Sequence, residues 1–251
     1  MRTRNNENIW KLENPPKFGL IESYVTDPKR NWLLCGTDQG FYNLWDLRFQ
    51  LLVRSWKDPH QTIIKKIVFG EGNKIFSSVS DTHNPLVHQW DLENLCCPLM
   101  FRVKTGEKDF ELKNKEQYTN PLLFSQFDPN FHTLHKRNES VHHPTQYFES
   151  LVTDGSSFLF SAGTDQTIRM WNLKEPKNSK IVSSQINKTT KYFSIPGKRF
   201  SIVQENVIST NSDQSLPFSS FHVDDILDLK LIPSLNMLIS CSRDSTIKIW
   251  K

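Results

Sequence analysis

The chain has 251 residues, 37% of them hydrophobic and 12% aromatic, with a mean hydropathy of −0.52 and a formal net charge of +4. That length holds a sizeable core and fits one all-β domain, the aromatic content favours strands, and the low hydropathy implies long polar loops. No run of 18 apolar residues exists and no apolar stretch follows the charges of MRTRNNENIW, which argues against a membrane-spanning helix and against a secretory leader.

Four tryptophans, Trp45, Trp90, Trp171 and Trp250, each close a short apolar strand preceded by a polar turn, in the phrases NLWD, HQWD, RMWN and KIWK. Their spacings are 45, 81 and 79 residues. The first matches the roughly 40–45 residue period of a WD repeat, one four-stranded propeller blade, and the others are near twice that period. The predicted fold is all-β: a partial WD-repeat propeller of about four blades, with long polar insertions. A repeat of this kind cannot bury its own flat faces and must stack on neighbours, which makes the chain a binding scaffold before it is a catalyst.

Taken in order, the first repeat spans about 8–48. Ile9 to Leu12 is an outer strand and Leu20 to Val25 an inner one. Trp32 to Cys35 and Phe41 to Trp45 follow, joined by the turn Gly36 to Gly40. The second spans about 49–92, with an outer strand from Phe49 to Trp56, then Ile63 to Phe69, Lys74 to Val79 and Leu86 to Trp90. Its last turn, SDTHNP, is longer than the equivalent turns. The third spans about 97–173. It starts at Met100 to Val103, is interrupted by a polar insertion over about 104–145, and resumes at Tyr147 to Thr153, Phe158 to Ser161 and Thr167 to Trp171. Within that insertion Asp109 to Tyr118 is the best short helix candidate. The fourth spans about 178–251, with an outer strand at Lys180 to Ser184 and an insertion over about 185–220. Arg199 to Val203 and Asn206 to Thr210 form a pair there around a Gln204-Glu205 turn. Ile226 to Ile232, Met237 to Cys241 and Thr246 to Trp250 close the chain.

The sharpest constellation is repeated. His143, Ser161 and Asp165 precede Trp171 by 28, 10 and 6 residues, and His222, Ser240 and Asp244 precede Trp250 by the same three offsets. These sets resemble the hydrogen-bonded tetrad of WD-repeat blades, in which a turn Asp binds a His, the His a strand Ser, and the Ser the indole N–H. Every buried polar group then has a partner. A Ser-His-Asp hydrolase triad uses the same residue types, but no G-x-S-x-G elbow accompanies them. At the same offsets before Trp45 and Trp90, which act as blade anchors, stand Gln39 and Asn84, and Lys17 and Thr62, so those blades depend more on apolar packing.

Phosphate-loop, zinc-protease, C-x-x-C and protein-kinase motifs are absent. The four histidines His132, His135, His142 and His143 follow no finger spacing, and the four cysteines (Cys35, Cys96, Cys97, Cys241) no metal spacing. No cofactor, metal or enzymatic activity is expected; the thiols read as reduced, with Cys35 and Cys241 as small core residues and the adjacent Cys96 and Cys97 pointing to opposite faces if extended. Between Lys174 and Ser220 basic residues outnumber acidic ones by as much as in the whole chain. That loop is solvated or faces an anionic membrane or an acidic partner; nucleic acid is disfavoured because no stacking platform is interleaved with the charges. Candidate interaction loops are the turn at Asp38, the turn at Asp81, and the segment carrying Lys188, Lys191, Lys198 and Arg199.

One phrase goes beyond the generic repeat. WLLCGTDQGFYNLWDLRFQL, Trp32 to Leu51, with AGTDQTIRMWNL at Ala162 to Leu173, SVH at Ser140 to His142 and the terminal SRDSTIKIWK, resembles the C-terminal WD-repeat propeller of regulatory subunit 4 of class III phosphatidylinositol 3-kinase. The resemblance implies a non-catalytic scaffold that joins the catalytic lipid kinase to accessory subunits in autophagy and in endosomal and vacuolar sorting. It implies a cytoplasmic chain, peripheral on endosomal or autophagic membranes. The family's kinase-like domain has no matching residues here. The resemblance implies a ring of seven blades; four blades from seven leave open faces, so the expectation is a fragment of a longer product or a short subunit completed by another chain. The alternatives are an unrelated WD-repeat adaptor such as a ubiquitin-ligase substrate receptor and, more remotely, a serine hydrolase using His143, Ser161 and Asp165.

Overall fold

The structure, a computed structural model, describes residues 11–29, 31–80, 84–104, 146–182, 188–194, 200–207 and 221–251. These form seventeen strands and short 3-10 turns, with no α-helix among the described residues.

Sheet 1 is a four-stranded antiparallel meander of β1 (Ile21–Thr26), β2 (Trp32–Thr37), β3 (Phe41–Asp46) and β4 (Leu51–Lys57). Sheet 2 repeats it with β5 (Lys66–Phe69), β6 (Lys74–Ser80), β7 (Pro85–Asp91) and β8 (Cys96–Lys104). Sheet 3 has β9 (Phe148–Thr153), β10 (Phe158–Gly163), β11 (Ile168–Asn172) and β12 (Lys180–Ile181). Two further strands, β13 (Lys188–Ser194) and β14 (Ser201–Val207), precede sheet 4, which has β15 (Ile226–Ile232), β16 (Met237–Ser242) and β17 (Ile247–Trp250).

The middle strands carry near-continuous apolar text because both of their faces are covered. The Phe41–Asp46 strand buries Phe41, Tyr42, Asn43 and Trp45 alike. One core lies between sheets 1 and 2 around Leu34, Tyr42, Trp56, Ile64 and Trp90. A second lies between sheets 2 and 3 around Phe76, Phe101, Phe148 and Trp171, and a third between sheets 3 and 4 around Ile168, Ile226 and Leu229. Trp90, Trp171 and Trp250 each face the preceding sheet. The outward face of sheet 1, where Trp45 lies, is covered by the lead-in segment: Phe18 packs on Phe41 at 5.1 Å, and the Asn43 amide donates to the Asn14 side chain at 2.6 Å. Burying one indole removes roughly 150–250 Å² from water, about 4–6 kcal/mol gross and an upper bound.

The hairpin turns before β3, β11 and β17 share one conformation. The fifth residue before each tryptophan has positive φ: Gly40 at 75°, Gln166 at 63° and Ser245 at 63°. At Gly40 a Cβ would also meet the Thr62 carbonyl at 2.7 Å, so glycine fits there on two counts.

Several sequence expectations need correction. The strand at Phe49 to Trp56 hydrogen-bonds to β3 and belongs to sheet 1, and β8 and β12 likewise close the sheet before them. Sequence repeats and sheets are therefore one strand out of phase. Of the expected strand Lys180 to Ser184, Lys180 and Ile181 form β12, Val182 is not in a strand, and residues 183–187 lie outside the described ones. Lys11 and Leu12 are not in a strand, and residues 1–10 lie outside. The turn at Gln204-Glu205 does not exist: both residues sit inside β14, which pairs with β13 and runs parallel to β8, so sheet 2 has six strands in the order β13-β14-β8-β7-β6-β5. Polar text misled there because one face of β14 buries a charge, Glu205. The segment Asp109 to Tyr118 lies outside the described residues.

Candidate functional site

Sheet 4 assembles a closed polar chain. The Trp250 indole N–H donates to the Ser240 hydroxyl at 2.9 Å, Ser240 lies 2.7 Å from His222 Nε2, and His222 Nδ1 lies 2.8 Å from Asp244. The Asp244 carboxylate can only accept, so His222 Nδ1 carries a proton facing it. Asp244 also accepts from the Val223 N–H at 3.1 Å, the Thr246 N–H at 2.9 Å and the Thr246 hydroxyl at 2.7 Å. Burial pushes its carboxyl up, but the Thr246 hydroxyl, the His222 ring and the two N–H groups outweigh that and hold it well below the usual carboxylate range.

In sheet 3 the Trp171 indole donates to Ser161 at 2.8 Å, and both residues are fully buried. His143 lies outside the described residues. Asp165 accepts from the Thr167 N–H at 3.3 Å and pairs with the buried Arg169. Arg169 also pairs with Glu205 of β14 at 2.9 Å, so its buried cation has two carboxylates. These pull its pKa up against burial, which alone would lower it. A hydrolase needs a reachable nucleophile, and the hydroxyls of Ser161 and Ser240 are buried against indoles.

Register locates the equivalent position in the other sheets. Ser161 pairs with Arg169 and Ser240 with Lys248, each two residues before the tryptophan. In sheet 2 the residue two before Trp90 is His88, and its partner is Ser77. The longer SDTHNP turn therefore displaces the serine from ten to thirteen residues before its tryptophan. The hydroxyl of Ser80, which occupies the tenth position, instead lies 2.8 Å from the Gln146 carbonyl and 3.1 Å from the Asn84 carbonyl, sharing its one hydrogen between them. In sheet 1 the equivalent residue is Cys35, opposite Asn43, whose thiol is pushed up to about 11 by burial.

Ser77 belongs to a network that sequence offsets did not reveal. Its hydroxyl lies 2.6 Å from the Tyr42 hydroxyl of sheet 1, which donates to Asp58 at 3.2 Å, and Asp58 lies 2.8 Å from His88 Nδ1. All four residues are buried. Burial pushes the Asp58 carboxyl up, yet the His88 ring beside it, with His60, brings it below its ordinary value. Burial and then Asp58 push the Tyr42 phenol well up. Around them Tyr42 stacks on Trp56 at 5.1 Å, and Trp90 stands edge-on to both rings. The Trp90 indole N–H approaches Tyr42 without hydrogen-bond geometry and has no such partner among the described residues. The only available sequence signal was the extra length of the turn before β7.

Of the candidate interaction positions, Asp38 accepts from the Leu20 N–H at 2.8 Å and so fastens the entry to β1. Lys188 opens β13, and Lys191 is exposed on it. Asp81, Lys198, Arg199, His132, His135 and His142 lie outside the described residues. Among the described residues no group of His, Cys, Asp or Glu is arranged to hold a metal, and no helix is long and apolar enough to cross a membrane.

Comparison with known proteins agrees with this architecture. Residues 141–172 and 213–251 match the model of the WD domain, G-beta repeat. The chain is 25% identical over 280 aligned residues to "Serine/threonine-protein kinase VPS15" of Arabidopsis thaliana, covering 99% of this chain and 18% of that protein. It is 24% identical to "Putative serine/threonine-protein kinase VPS15" of Komagataella pastoris, covering 96% of this chain and 19% of that protein. The chain thus spans under a fifth of the length of these relatives. Among solved structures, the RRP9 WD40 repeats superpose with a TM-score of 0.51 at 13% identity, over 92% of this chain and 48% of that one, a likeness of fold alone.

Proposed function

We infer, for a chain that carries WD repeats and is similar along its length to the VPS15 proteins, a non-catalytic scaffold role as the WD-repeat part of the regulatory subunit of a class III phosphatidylinositol 3-kinase complex. The carrying observation is the match over 99% of the chain. The burial of Ser161 and Ser240 supports it, because the constellation that mimics a triad is spent on holding indoles.

In this reading the repeats span about 8–48, 49–92, 97–173 and 178–251, and the stack is part of a larger ring. Its partners are the catalytic lipid kinase and accessory subunits. Its place is the cytoplasmic side of endosomal and autophagic membranes, reached through the complex. The work done is autophagy and endosomal or vacuolar sorting. Stacked sheets suit such a role because a rigid frame presents loops and edges at fixed separations.

Co-expression of the tagged chain with the class III lipid-kinase catalytic subunit, followed by size-exclusion chromatography, tests this. Co-migration of the two supports the reading. Separate elution, with capture of a ubiquitin-ligase adaptor instead, replaces it with a substrate-receptor function.

A further inference from the structure

Among the described residues the ribbon of β13 and β14 has no counterpart on the other sheets. It is joined to sheet 2 because β14 runs parallel to β8, from Ser201 opposite Leu99 to Asn206 opposite Lys104. It is also fixed from the inside. Phe200 and Ile202 enter the core between sheets 1 and 2, Val203 enters the core between sheets 2 and 3, and Glu205 pairs with Arg169 of sheet 3. The ribbon is therefore a held element, and its outer strand is presented at a fixed place.

We propose that the outer edge of β13 is a strand-addition site for an extended acidic segment of a partner protein. Among the described residues β13 pairs only with β14, so its other edge offers a row of backbone donors and acceptors. The charge around that edge selects the occupant. Lys191 is exposed on the strand, and the 3-10 turn Pro176–Asn178 beside it carries exposed Lys177, with Lys174 and Lys180 exposed on either side. The acidic residue of this stretch, Glu175, is bonded to Asn178, and Glu205 is committed to Arg169. Tyr192 and Phe193 are adjacent, so they project to opposite faces of the ribbon, and both are exposed. They can flank an added strand from above and below. A second copy of this ribbon is opposed by like charges meeting across the new ladder, whereas an acidic strand is favoured by the same charges. An anionic membrane answers the charge but offers no backbone ladder. The inference rests on the scaffold reading. Co-migration with the lipid kinase while β13 stays exposed would sink the edge and leave that reading intact.

The test uses the full chain and a fluorescent peptide of about ten residues alternating Glu and Thr. Binding is followed by anisotropy, and amide exchange is read at residues 188–194. The expected result is saturable binding, slowed exchange along β13, and no binding of the same peptide with Lys in place of Glu. The N-methylated peptide, equal in charge but without backbone N–H groups, binds more weakly. The double variant Lys177→Glu, Lys191→Glu weakens binding by about tenfold or more. Both lysines are exposed, so its melting temperature is unchanged; if it unfolds, Lys177→Gln, Lys191→Gln serves with a smaller loss. Unslowed exchange at β13, indifference to charge reversal, or equal binding of the N-methylated peptide overturns the proposal. So does charge-dependent binding to phosphatidylserine–phosphatidylcholine vesicles without peptide binding, which assigns the surface to a membrane.

Discussion

The Tyr42 hydroxyl meets the Ser77 hydroxyl at 2.6 Å across the core between sheets 1 and 2. This contact occupies, in sheet 2, the place that a histidine takes in sheet 4. It turns a polar strut within one sheet into a strut between two, since Tyr42 also holds Asp58, and Asp58 holds His88.

Tyr42→Phe should lower stability by about 1–3 kcal/mol, because Ser77 and Asp58 each lose a buried partner while the ring stays in place. Ser77→Ala should cost less. The double variant should fall short of the sum, as expected for residues in one network. Urea midpoints of the four proteins measure this; strict additivity would remove the coupling.

Asp244 gives a pH dependence of fixed sign. Its carboxyl is held below its ordinary value in the folded chain, so the stability it contributes is present above the unfolded pKa, about 3.9. That stability is lost as pH falls from there through the folded value. Asp244→Asn should flatten acid unfolding below about pH 4. Asp244→Ala should lower the melting temperature more than Asp38→Ala, because Asp244 serves His222, Val223 and Thr246 whereas Asp38 accepts from the Leu20 N–H at 2.8 Å. Equal shifts would contradict the role given to Asp244.

Glu205→Gln should destabilise by about 3–5 kcal/mol at most, since it leaves the buried Arg169 with Asp165 in place of two paired carboxylates. Replacing Arg169 and Glu205 together with Met and Leu should recover much of the loss. Limited proteolysis should cut first within the β13–β14 ribbon of Glu205→Gln. Cleavage unchanged from the parent chain would mean the ion pair does not hold the ribbon.

Cys35 is buried and its thiol is pushed up to about 11, so little thiolate forms at neutral pH. Iodoacetamide at about pH 8 should leave Cys35 unmodified in the folded chain and modify it on unfolding. Rapid native labelling would place Cys35 nearer solvent than the outward face of sheet 1 allows.

How far the sequence could be read depended on whether a feature is local. The strand text around Trp45, Trp90, Trp171 and Trp250 is legible because inner strands are apolar on both faces and end in a bulky ring. The serine ten residues before Trp171 and before Trp250 is legible because both hairpin turns have the same length. Ser77 was hidden by three extra residues in the turn before β7, which break the count while preserving the register. The Tyr42–Asp58–His88 network was hidden because it joins two sheets and no periodicity links its members. The β13–β14 ribbon was hidden for a related reason: β14 pairs with β8, and all of sheet 3 lies between them in the chain. Glu205 reads as a turn residue until its partner Arg169 is known.

Labelling the native chain with a fluorophosphonate serine probe, followed by peptide mass spectrometry, tests the non-catalytic account most directly. Ser161 and Ser240 should remain unlabelled while the chain is folded, because their hydroxyls bind the indoles of Trp171 and Trp250 out of reach of solvent. Stoichiometric native labelling of either serine would show a reachable nucleophile and contradict a scaffold whose histidine, serine and aspartate only brace its sheets.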